Sequence, residues 1–407
     1  MKRLLTMALM MTLALALALA TGCGDKAAEK AEVKGPVKVG IVLPLTGKQA
    51  KFGEIEKQSF DMALEEINAA GGINGQQLVF LYEDDTGVPA TGSSVAEKLI
   101  NKDQVVMLGG GYSSSVCKSV ARVSQQNKMP FLINTGSADD ITEKGYDYVF
   151  RLNPPASEYA KGTETFLSEI VKPTTAVTIY ENSDFGTKSS EEFTNTCQKL
   201  GINVLFSEGF ESGTMDFRPI LIKAKEANPD LVYMVAYVND APQIMKQAKE
   251  LQLMPKMYLG NGAGFTMPSF PETAGSAAEG VFSTTLWYQT LNYPGAKEYY
   301  DKFMQKFGKE TEYHGAEAYA AGFVIADALK RAKSFSPDDV RQALADTDMM
   351  TVFGPVKFQS YNNLFNQNSV DTYLTQWING QLALVWPTAA ASSPYVYPVD
   401  WDTIWSK

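Results

Sequence analysis

Few residues in this 407-residue chain could carry out catalysis. The acidic pairs Asp84–Asp85 and Asp139–Asp140 are of the kind with which glycosidases work, but both follow predicted strand ends, where carboxylates commonly stabilise turns. The only histidine, His314, opens an amphipathic helical pattern, so a structural or capping role is expected for it. Most hydrolytic triads and zinc sites need imidazoles, and no dinucleotide-binding, P-loop, HExxH or GxSxG motif is present. We therefore expect neither an enzyme nor a metal or cofactor site.

Two predicted strands end in hydroxyl-rich segments, which favour ligand binding. Tyr112, Ser113 and Ser114 follow one strand and open a helix, and Thr135 and Ser137 follow the next strand. Hydroxyls and backbone N–H groups at a helix N-terminus can hold a ligand carboxylate, and Tyr112 could stack on an apolar part of the ligand. The alternative is that the serines and threonine only cap helices. Because two such strand ends coincide, we expect a binding site.

An alternation of strands and helices would position these residues. Eight short apolar runs are predicted as strands: Val37–Leu43, Leu78–Glu83, Val105–Gly110, Pro130–Asn134, Ala176–Tyr180, Asn203–Phe206, Leu231–Ala236 and Met257–Leu259. Amphipathic segments between them, such as Pro89–Asn101, predict helices. The pattern indicates an α/β protein with two doubly wound units built on parallel sheets. Between the units, Arg151–Ala160 contains paired prolines and is predicted as a hinge.

Residues 1–22 have the features of a lipoprotein signal peptide. Lys2 and Arg3 precede the apolar stretch Leu4–Ala20, and small residues precede Cys23. A membrane-spanning helix is the alternative, but the stretch is at the short end of the roughly 20 residues that a span needs. We expect lipidation of Cys23, a flexible tether over residues 23–36, and an extracytoplasmic protein whose only membrane attachment is its lipid anchor.

Charge and cysteine usage exclude further classes. The formal net charge is −10, so the surface would repel nucleic-acid phosphates, and no nucleic-acid partner is expected. Apart from Cys23, only Cys117 and Cys197 remain, too few for a disulfide framework. They fall in different predicted units, and two buried thiols are expected.

The segment Val39–Asp85 resembles the beginning of the periplasmic leucine/isoleucine/valine-binding protein family. It contains a PLTG loop, the pair Phe52-Gly53, the run INAAGGING and the acidic pair at its end, all in the family's order. The resemblance continues through the SSS loop at Ser113–Ser115 and the runs TGSADDIT, YENSDFG, GTMDFRPIL and YLGNGAGF. It therefore covers almost the whole chain after the tether.

The resemblance implies a type I periplasmic-binding fold, in which two lobes joined by three crossover strands close around a ligand. The first lobe would comprise residues 37–152 and 285–355, and the second lobe residues 153–284 and 356–407. The resemblance also implies the substrate-binding component of an ABC transporter, which delivers a small molecule to a permease. A ligand sensor for signalling uses the same fold and is the alternative.

The resemblance also assigns ligand contacts to hydroxyl and aromatic residues. The ligand carboxylate would meet Ser113, with added contacts from Thr135 and Ser137. The aromatic positions that wall the pocket are matched by Phe52, Phe185 and Tyr237.

One departure from the family pattern concerns the ligand's amino group. Amino-acid binders of this family usually carry an acidic residue after the last predicted strand of the second unit, but Gly260–Gly264 contains none. A buried ammonium without a charged partner is costly, so Asp184, Asp240 or Glu158 would have to replace that acid. Otherwise Asn261 could accept hydrogen bonds from an amide or urea. We expect a branched-chain or other apolar amino acid, and leave open an aromatic carboxylate or a small amide.

Overall fold

The structure is a computed structural model that describes residues 35–406, so the predicted signal peptide, Cys23 and most of the tether lie outside the described residues. The strands are β1 Val37–Leu43, β2 Leu78–Asp84, β3 Met107–Gly110, β4 Phe131–Ile133, β5 Val149–Arg151, β6 Thr175–Glu181, β7 Asn203–Phe210, β8 Leu231–Val235, β9 Met257–Gly260, β10 Phe282–Thr285, β11 Asp348–Thr351, β12 Gly354–Lys357, β13 Gln359–Tyr361, β14 Leu364–Gln367, β15 Tyr373–Ile378 and β16 Gln381–Trp386.

Helices alternate with these strands along the chain. The α-helices are α1 Ala50–Ala69, α2 Pro89–Asn101, α3 Ser114–Gln126, α4 Ala156–Tyr159, α5 Lys161–Phe166, α6 Asp184–Leu200, α7 Arg218–Ala227, α8 Asp240–Glu250, α9 Ser269–Ala274, α10 Ala296–Phe307, α11 Tyr313–Arg331, α12 Pro337–Ala345 and α13 Trp401–Trp405. Within residues 35–406, no helix combines the length and the apolar character needed to cross a membrane.

Fourteen strands form two seven-stranded sheets. The first has the order β13-β14-β5-β4-β3-β1-β2, parallel from β2 to β14, with β13 antiparallel at the edge. The second has the order β16-β15-β10-β9-β8-β6-β7, parallel from β7 to β10, with β15 and β16 antiparallel. We call each sheet with its helices a lobe. The prediction of two doubly wound, mainly parallel units is confirmed.

The chain passes between the sheets three times. It leaves the first sheet after β5, returns after β10, and leaves again between Gln367 of β14 and Tyr373 of β15. Residues from 356 onward were expected in the second lobe, whereas β13 and β14 belong to the first sheet. Short strands of this kind carry little periodic signal, so their sheet is decided by long-range pairing.

Helix α1 covers the first sheet through a one-sided apolar stripe. Phe60, Ala63 and Ile67 are buried at i, i+3 and i+7, as predicted. Helix α11 packs closely on α1, since a Cβ on Gly322 would lie 2.7 Å from the Cβ of Ala63. The first turns of α1 and α11 are neighbours as well, because the ring centroids of Phe52 and His314 are 5.0 Å apart.

The two cysteines of the described chain lie in different lobes, on α3 and α6. Cys117 and Cys197 are buried free thiols. Burial raises the pKa of both thiols, which disfavours the reactive thiolate. The expectation of buried thiols is confirmed.

A fully buried arginine connects the first crossover to the third. Arg151, the last residue of β5, donates from Nε to Gln367 Oε1 at 2.6 Å and from Nη1 to the Ala138 carbonyl at 2.7 Å. Gln367 Nε2 in turn donates to the Asn153 carbonyl at 2.7 Å. Since β14 ends at Gln367, these bonds hold the two crossovers side by side and tie them to the loop after β4.

We expect Arg151→Met to lower the free energy of unfolding by about 3–5 kcal/mol, because buried carbonyls and the Gln367 amide lose a charged donor. Urea unfolding followed by tryptophan fluorescence measures the change. Arg151→Lys keeps the charge without the planar fork and should give a smaller loss. A loss below about 1 kcal/mol for Arg151→Met would contradict the assigned role.

Candidate ligand-binding site

A small cavity lies between the lobes, beyond the carboxyl ends of the parallel strands, where α/β proteins bind ligands. It has a volume of about 20 Å³, enough for about one water molecule. A larger ligand therefore requires the lobes to separate or the lining side chains to turn. The lining residues are Tyr112, Ser114, Thr135, Ser137, Tyr159, Phe185, Tyr237, Ala263, Tyr313 and His314.

Aromatic rings from both lobes form most of the wall. Phe52 of α1 is buried behind Tyr112 and stacks on it, with ring centroids 4.6 Å apart. Tyr112 faces Tyr237 of the second lobe at 5.9 Å, and Tyr237 lies 5.8 Å from Phe185. His314 lies 5.3 Å from Tyr112. Such a continuous aromatic surface suits a flat or branched apolar ligand body.

The N-terminus of α3 supplies hydrogen-bond donors to the cavity. Its N-cap residue is Ser113, whose side chain makes no capping hydrogen bond. The Ser113 side chain therefore does not satisfy the N–H groups of the first turn. Ser114 Oγ accepts the backbone N–H groups of Ser137 and Ala138, each at 3.1 Å. With both lone pairs occupied, its O–H hydrogen remains for an acceptor on a ligand. This geometry, with the helix dipole, suits a carboxylate.

Hydrogen bonds from the first crossover fix the loop that carries Thr135 and Ser137. Asn153 Nδ2 donates to the Thr135 carbonyl and, at 2.9 Å, to the hydroxyl of Tyr159. Arg151 holds the carbonyl of Ala138. The hinge thereby positions cavity residues from both lobes.

Two buried carboxyl groups lie behind Thr135. Its Oγ1 is 2.9 Å from Glu56 Oε1 of α1 and 2.9 Å from Glu317 Oε2 of α11. Asn134 Nδ2 donates 2.8 Å bonds to Glu56 Oε2 and to Thr135 Oγ1. A hydroxyl has one hydrogen to give, so both contacts are satisfied only if one carboxyl is protonated and donates to Thr135.

Burial disfavours ionisation of both acids. It raises the pKa of Glu56 to about 8 and holds the pKa of Glu317 well above its usual range. The other oxygen of Glu317 is buried and has no partner among the described residues. The pair therefore stores a proton next to the cavity at neutral pH.

His314 joins the cavity through the first turn of α11. Its Nδ1 lies 2.8 Å from both carboxylate oxygens of Glu312, and its ring stacks on Tyr313 at 3.9 Å. A carboxylate only accepts, so Nδ1 carries the hydrogen and Nε2 is the nitrogen left for a ligand. The expectation of a structural role missed this position in the cavity wall.

The acids proposed as ammonium partners do not line the cavity. Asp184 pairs across the lobes with Lys118 at 2.8 Å. Glu158 pairs with Lys161 at 2.8 Å. Asp240 is buried elsewhere in the second lobe, and burial raises its pKa to about 6. Their role as ammonium partners stays a prediction.

The glycine-rich loop after β9 leaves no room for an acid at its centre. A Cβ on Gly262, where φ is +61°, would lie 2.9 Å from the hydroxyl oxygen of Tyr313. That oxygen accepts the backbone N–H of Ala263 at 2.9 Å. The Asn261 side chain accepts instead from Thr284 Oγ1 at 3.2 Å and does not line the cavity. Tyr313 therefore occupies the space into which a side chain at position 262 would point.

The structure brings most of the predicted site residues together. Six predicted residues line the cavity: Tyr112, Ser114, Thr135, Ser137, Phe185 and Tyr237. Phe52 supports Tyr112 from behind, and Ser113 is the N-cap of α3. Three further lining residues were not predicted from the sequence: Tyr159, Tyr313 and His314. Their only sequence signal is their position in the predicted hinge or at the start of a helix.

The acidic pairs stabilise turns instead of facing a substrate. Asp84 accepts the backbone N–H groups of Leu45 at 2.8 Å and Thr86 at 2.9 Å. Asp139 accepts the N–H of Ser157 at 3.2 Å, and Asp140 pairs with Lys118 at 2.7 Å. Neither pair lines the cavity.

The buried acids predict a pH-dependent stability. Because the pKa of Glu56 rises from 4.5 to about 8 on folding, its contribution is present at low pH and is lost as the pH rises through that window. We expect stability to fall by on the order of 3 kcal/mol between about pH 5 and pH 8.5. Urea unfolding across this range measures the slope.

Glu56→Gln mimics the protonated acid and should reduce this slope, leaving the contribution of Glu317. The matched control Glu54→Gln changes an exposed acid two residues earlier on α1 and should leave the slope intact. A slope unchanged in Glu56→Gln would contradict the shared proton.

The sequence matches known proteins over most of its length. A family model described as a periplasmic binding protein matches residues 36–381. Leu/Ile/Val-binding protein homolog 7 of Brucella melitensis is 28% identical over 380 residues, which cover 89% of this chain and 94% of the relative.

Solved structures share the fold at lower identity. The branched-chain amino acid transporter substrate-binding protein LivJ from Streptococcus pneumoniae, in complex with isoleucine, superposes with a TM-score of 0.78 at 24% identity, covering 85% of this chain and 97% of LivJ. A solute-binding protein of an ABC transporter from R. palustris, in complex with benzoate, has a TM-score of 0.79 at 18% identity, covering 89% of this chain and 98% of that one. Because the family model matches residues 36–381 and the fold agrees with it, the chain belongs to the periplasmic binding protein family.

Proposed function

We propose that this protein is the extracytoplasmic solute-binding component of an ABC uptake system and that it binds a small carboxylate with an apolar, preferably aromatic, body. One observation carries the choice of ligand. The cavity offers the free O–H of Ser114 at an uncapped helix N-terminus, whereas none of its lining side chains is acidic. The cavity therefore offers a hydrogen-bond donor to a carboxylate but no negatively charged partner to an ammonium group.

The remaining parts of the proposal rest on the family and on the sequence. Membership of the periplasmic binding protein family supports transport through an ABC permease. The features of residues 1–22 and Cys23 support a lipid anchor as the membrane attachment.

Closure of the lobes would trap the ligand. Contacts already link them in this arrangement: Lys118 of α3 pairs with Asp184 of α6, and Lys48 Nζ donates to the Ser212 carbonyl at 2.7 Å. A ligand touched by both lobes adds free energy only to the closed state and shifts the population toward it. The permease would then recognise the closed form.

A branched-chain amino acid is the second candidate. It is favoured by the Leu/Ile/Val-binding relatives and by the isoleucine bound to LivJ. In this chain the ammonium group would have to displace the proton shared by Glu56 and Glu317 behind Thr135. Glu317→Gln would then abolish amino-acid binding, whereas binding of a carboxylate without an amino group would persist.

We expect benzoate and its hydroxylated derivatives to raise the melting temperature of the chain from Val37 onward, and leucine, isoleucine and valine not to do so. A ligand at about 100 times its dissociation constant adds roughly 2.7 kcal/mol of stability. Thermal unfolding against this panel measures the shifts. Stabilisation by the branched-chain amino acids alone would overturn the carboxylate proposal in favour of the second candidate.

Ser114→Ala should weaken binding of the best panel carboxylate by about 10- to 100-fold, because a hydrogen bond to a charged group contributes about 1.5–3 kcal/mol. Ser119→Ala removes a hydroxyl from the same helix outside the cavity and is the matched control. Calorimetric titration measures both affinities. Equal affinities for the two variants would remove Ser114 from the site.

The ion pair across the lobes can be tested with its own internal control. Lys118 binds Asp184 of the second lobe and Asp140 of its own lobe at nearly equal distances. Asp184→Asn should weaken ligand binding by up to about five-fold, since partly exposed pairs contribute about 1 kcal/mol or less. Asp140→Asn should leave affinity unchanged, because it removes no contact between lobes. Equal effects in a binding titration would contradict the closure role.

A further inference from the structure

A second cavity, of about 240 Å³, lies beside the crossover that follows β10. Trp287 and Tyr288 of the crossover and Tyr300 of α10 form one side, and Trp377 of β15 in the second lobe forms the other. Glu310 and Glu312, which lead into α11, complete the wall. We call this space the crossover cavity. It is larger than the cavity beside Ser114 and shares no lining residue with it.

The aromatic rings of the crossover cavity offer faces instead of donors. The indole N–H of Trp287 is donated to the Val352 carbonyl at 2.8 Å, and that of Trp377 to the Phe265 carbonyl at 2.7 Å. The Tyr288 hydroxyl donates to the Leu382 carbonyl at 2.8 Å. With these polar atoms committed elsewhere, the rings contribute carbon surface to the wall, and a cation placed over such a ring is attracted to it.

The walls of this cavity carry acidic side chains but no basic one of their own. Its lining contains two carboxylates and no lysine or arginine. The Glu312 side chain is more than nine-tenths buried, and its only hydrogen-bond partner among the described residues is His314. The adjacent Lys309 is paired with Glu54 at the surface. One buried and one exposed acid therefore lie beside aromatic rings, around a space large enough for several heavy atoms.

We propose that the crossover cavity binds a small organic ammonium ion between the Glu310 and Glu312 carboxylates and the rings of Tyr288, Tyr300, Trp287 and Trp377. A metal ion fits less well, since the described residues contain no group of three His, Cys, Asp or Glu side chains placed to hold one. Aromatic cages with nearby carboxylates are the usual receptors for alkylammonium groups.

The position of the site has a consequence for transport. Its walls come from both lobes, so an ammonium ion held there stabilises the closed arrangement. By linkage, it also raises the affinity of any ligand that needs the same closed arrangement. Glu312 extends this connection, because it also orients His314 in the smaller cavity.

Calorimetric titration of the full-length protein with the chloride salts of choline and of ethanolamine tests the site. The matched buffer contains no carboxylate. Saturable binding of either amine is expected, with none for the neutral choline isostere 3,3-dimethyl-1-butanol. Glu310→Gln and Tyr300→Leu should each weaken binding by about five-fold or more. Glu298→Gln removes an exposed acid of α10 outside the cavity and should leave it unchanged.

The absence of saturable binding by both amines would overturn the proposal. Binding that survives Glu310→Gln and Tyr300→Leu, or that Glu298→Gln weakens equally, would reduce it to nonspecific attraction by an acidic protein and overturn it as well. Thermal unfolding of each variant confirms that it is folded. None of these results depends on which carboxylate the smaller cavity takes, so this test fails or succeeds separately from the proposed function.

Discussion

The guanidinium of Arg151 is a positive charge buried in the protein interior. The hydrogen-bond acceptors that it requires come from several segments around the hinge, and it holds those segments together. A buried cation must satisfy its donors or lose several kcal/mol. Here the acceptors are the Ala138 carbonyl, the Gln367 amide and the Thr142 hydroxyl. Those groups belong to the ligand loop after β4 and to the third crossover. One side chain therefore couples the place where the lobes bend to the place where the ligand would sit.

Hydrogen-bond accounting also determines the electrostatics of the ligand site. Ser114 accepts two backbone bonds and has one hydrogen left to give, whereas Thr135 stands between two carboxyl groups with a single hydrogen for both. The first arrangement is complementary to an anion, and the second forces a proton onto Glu56 or Glu317. Both follow from the fixed number of donors and acceptors on a hydroxyl.

The conformation described here is a closed one. An ion pair and a hydrogen bond cross between the lobes, and aromatic rings fill most of the space at the ligand site. Packing at interior density tolerates a ligand only after side chains rearrange or the lobes part. The larger crossover cavity lies on the hinge side. A movement of the lobes would therefore change both cavities, because each has walls from both lobes.

Local patterns in the sequence were enough to predict the parallel strands at the centre of both sheets. Apolar runs predicted β1 and α2 at their observed bounds, and hydroxyls after β3 and β4 indicated residues that line the cavity. Periodicity is a short-range signal, so it could not assign β13 and β14 to the first sheet or bring His314, Tyr313 and Glu317 from α11 to the cleft. Those residues lie more than 170 positions after Thr135, and only the packing of α11 on α1 decides what they contact. The amino-acid sequence by itself determined the fold class and half of the site. The tertiary structure alone decided the charge of that site, because burial and the sharing of protons depend on which distant side chains meet.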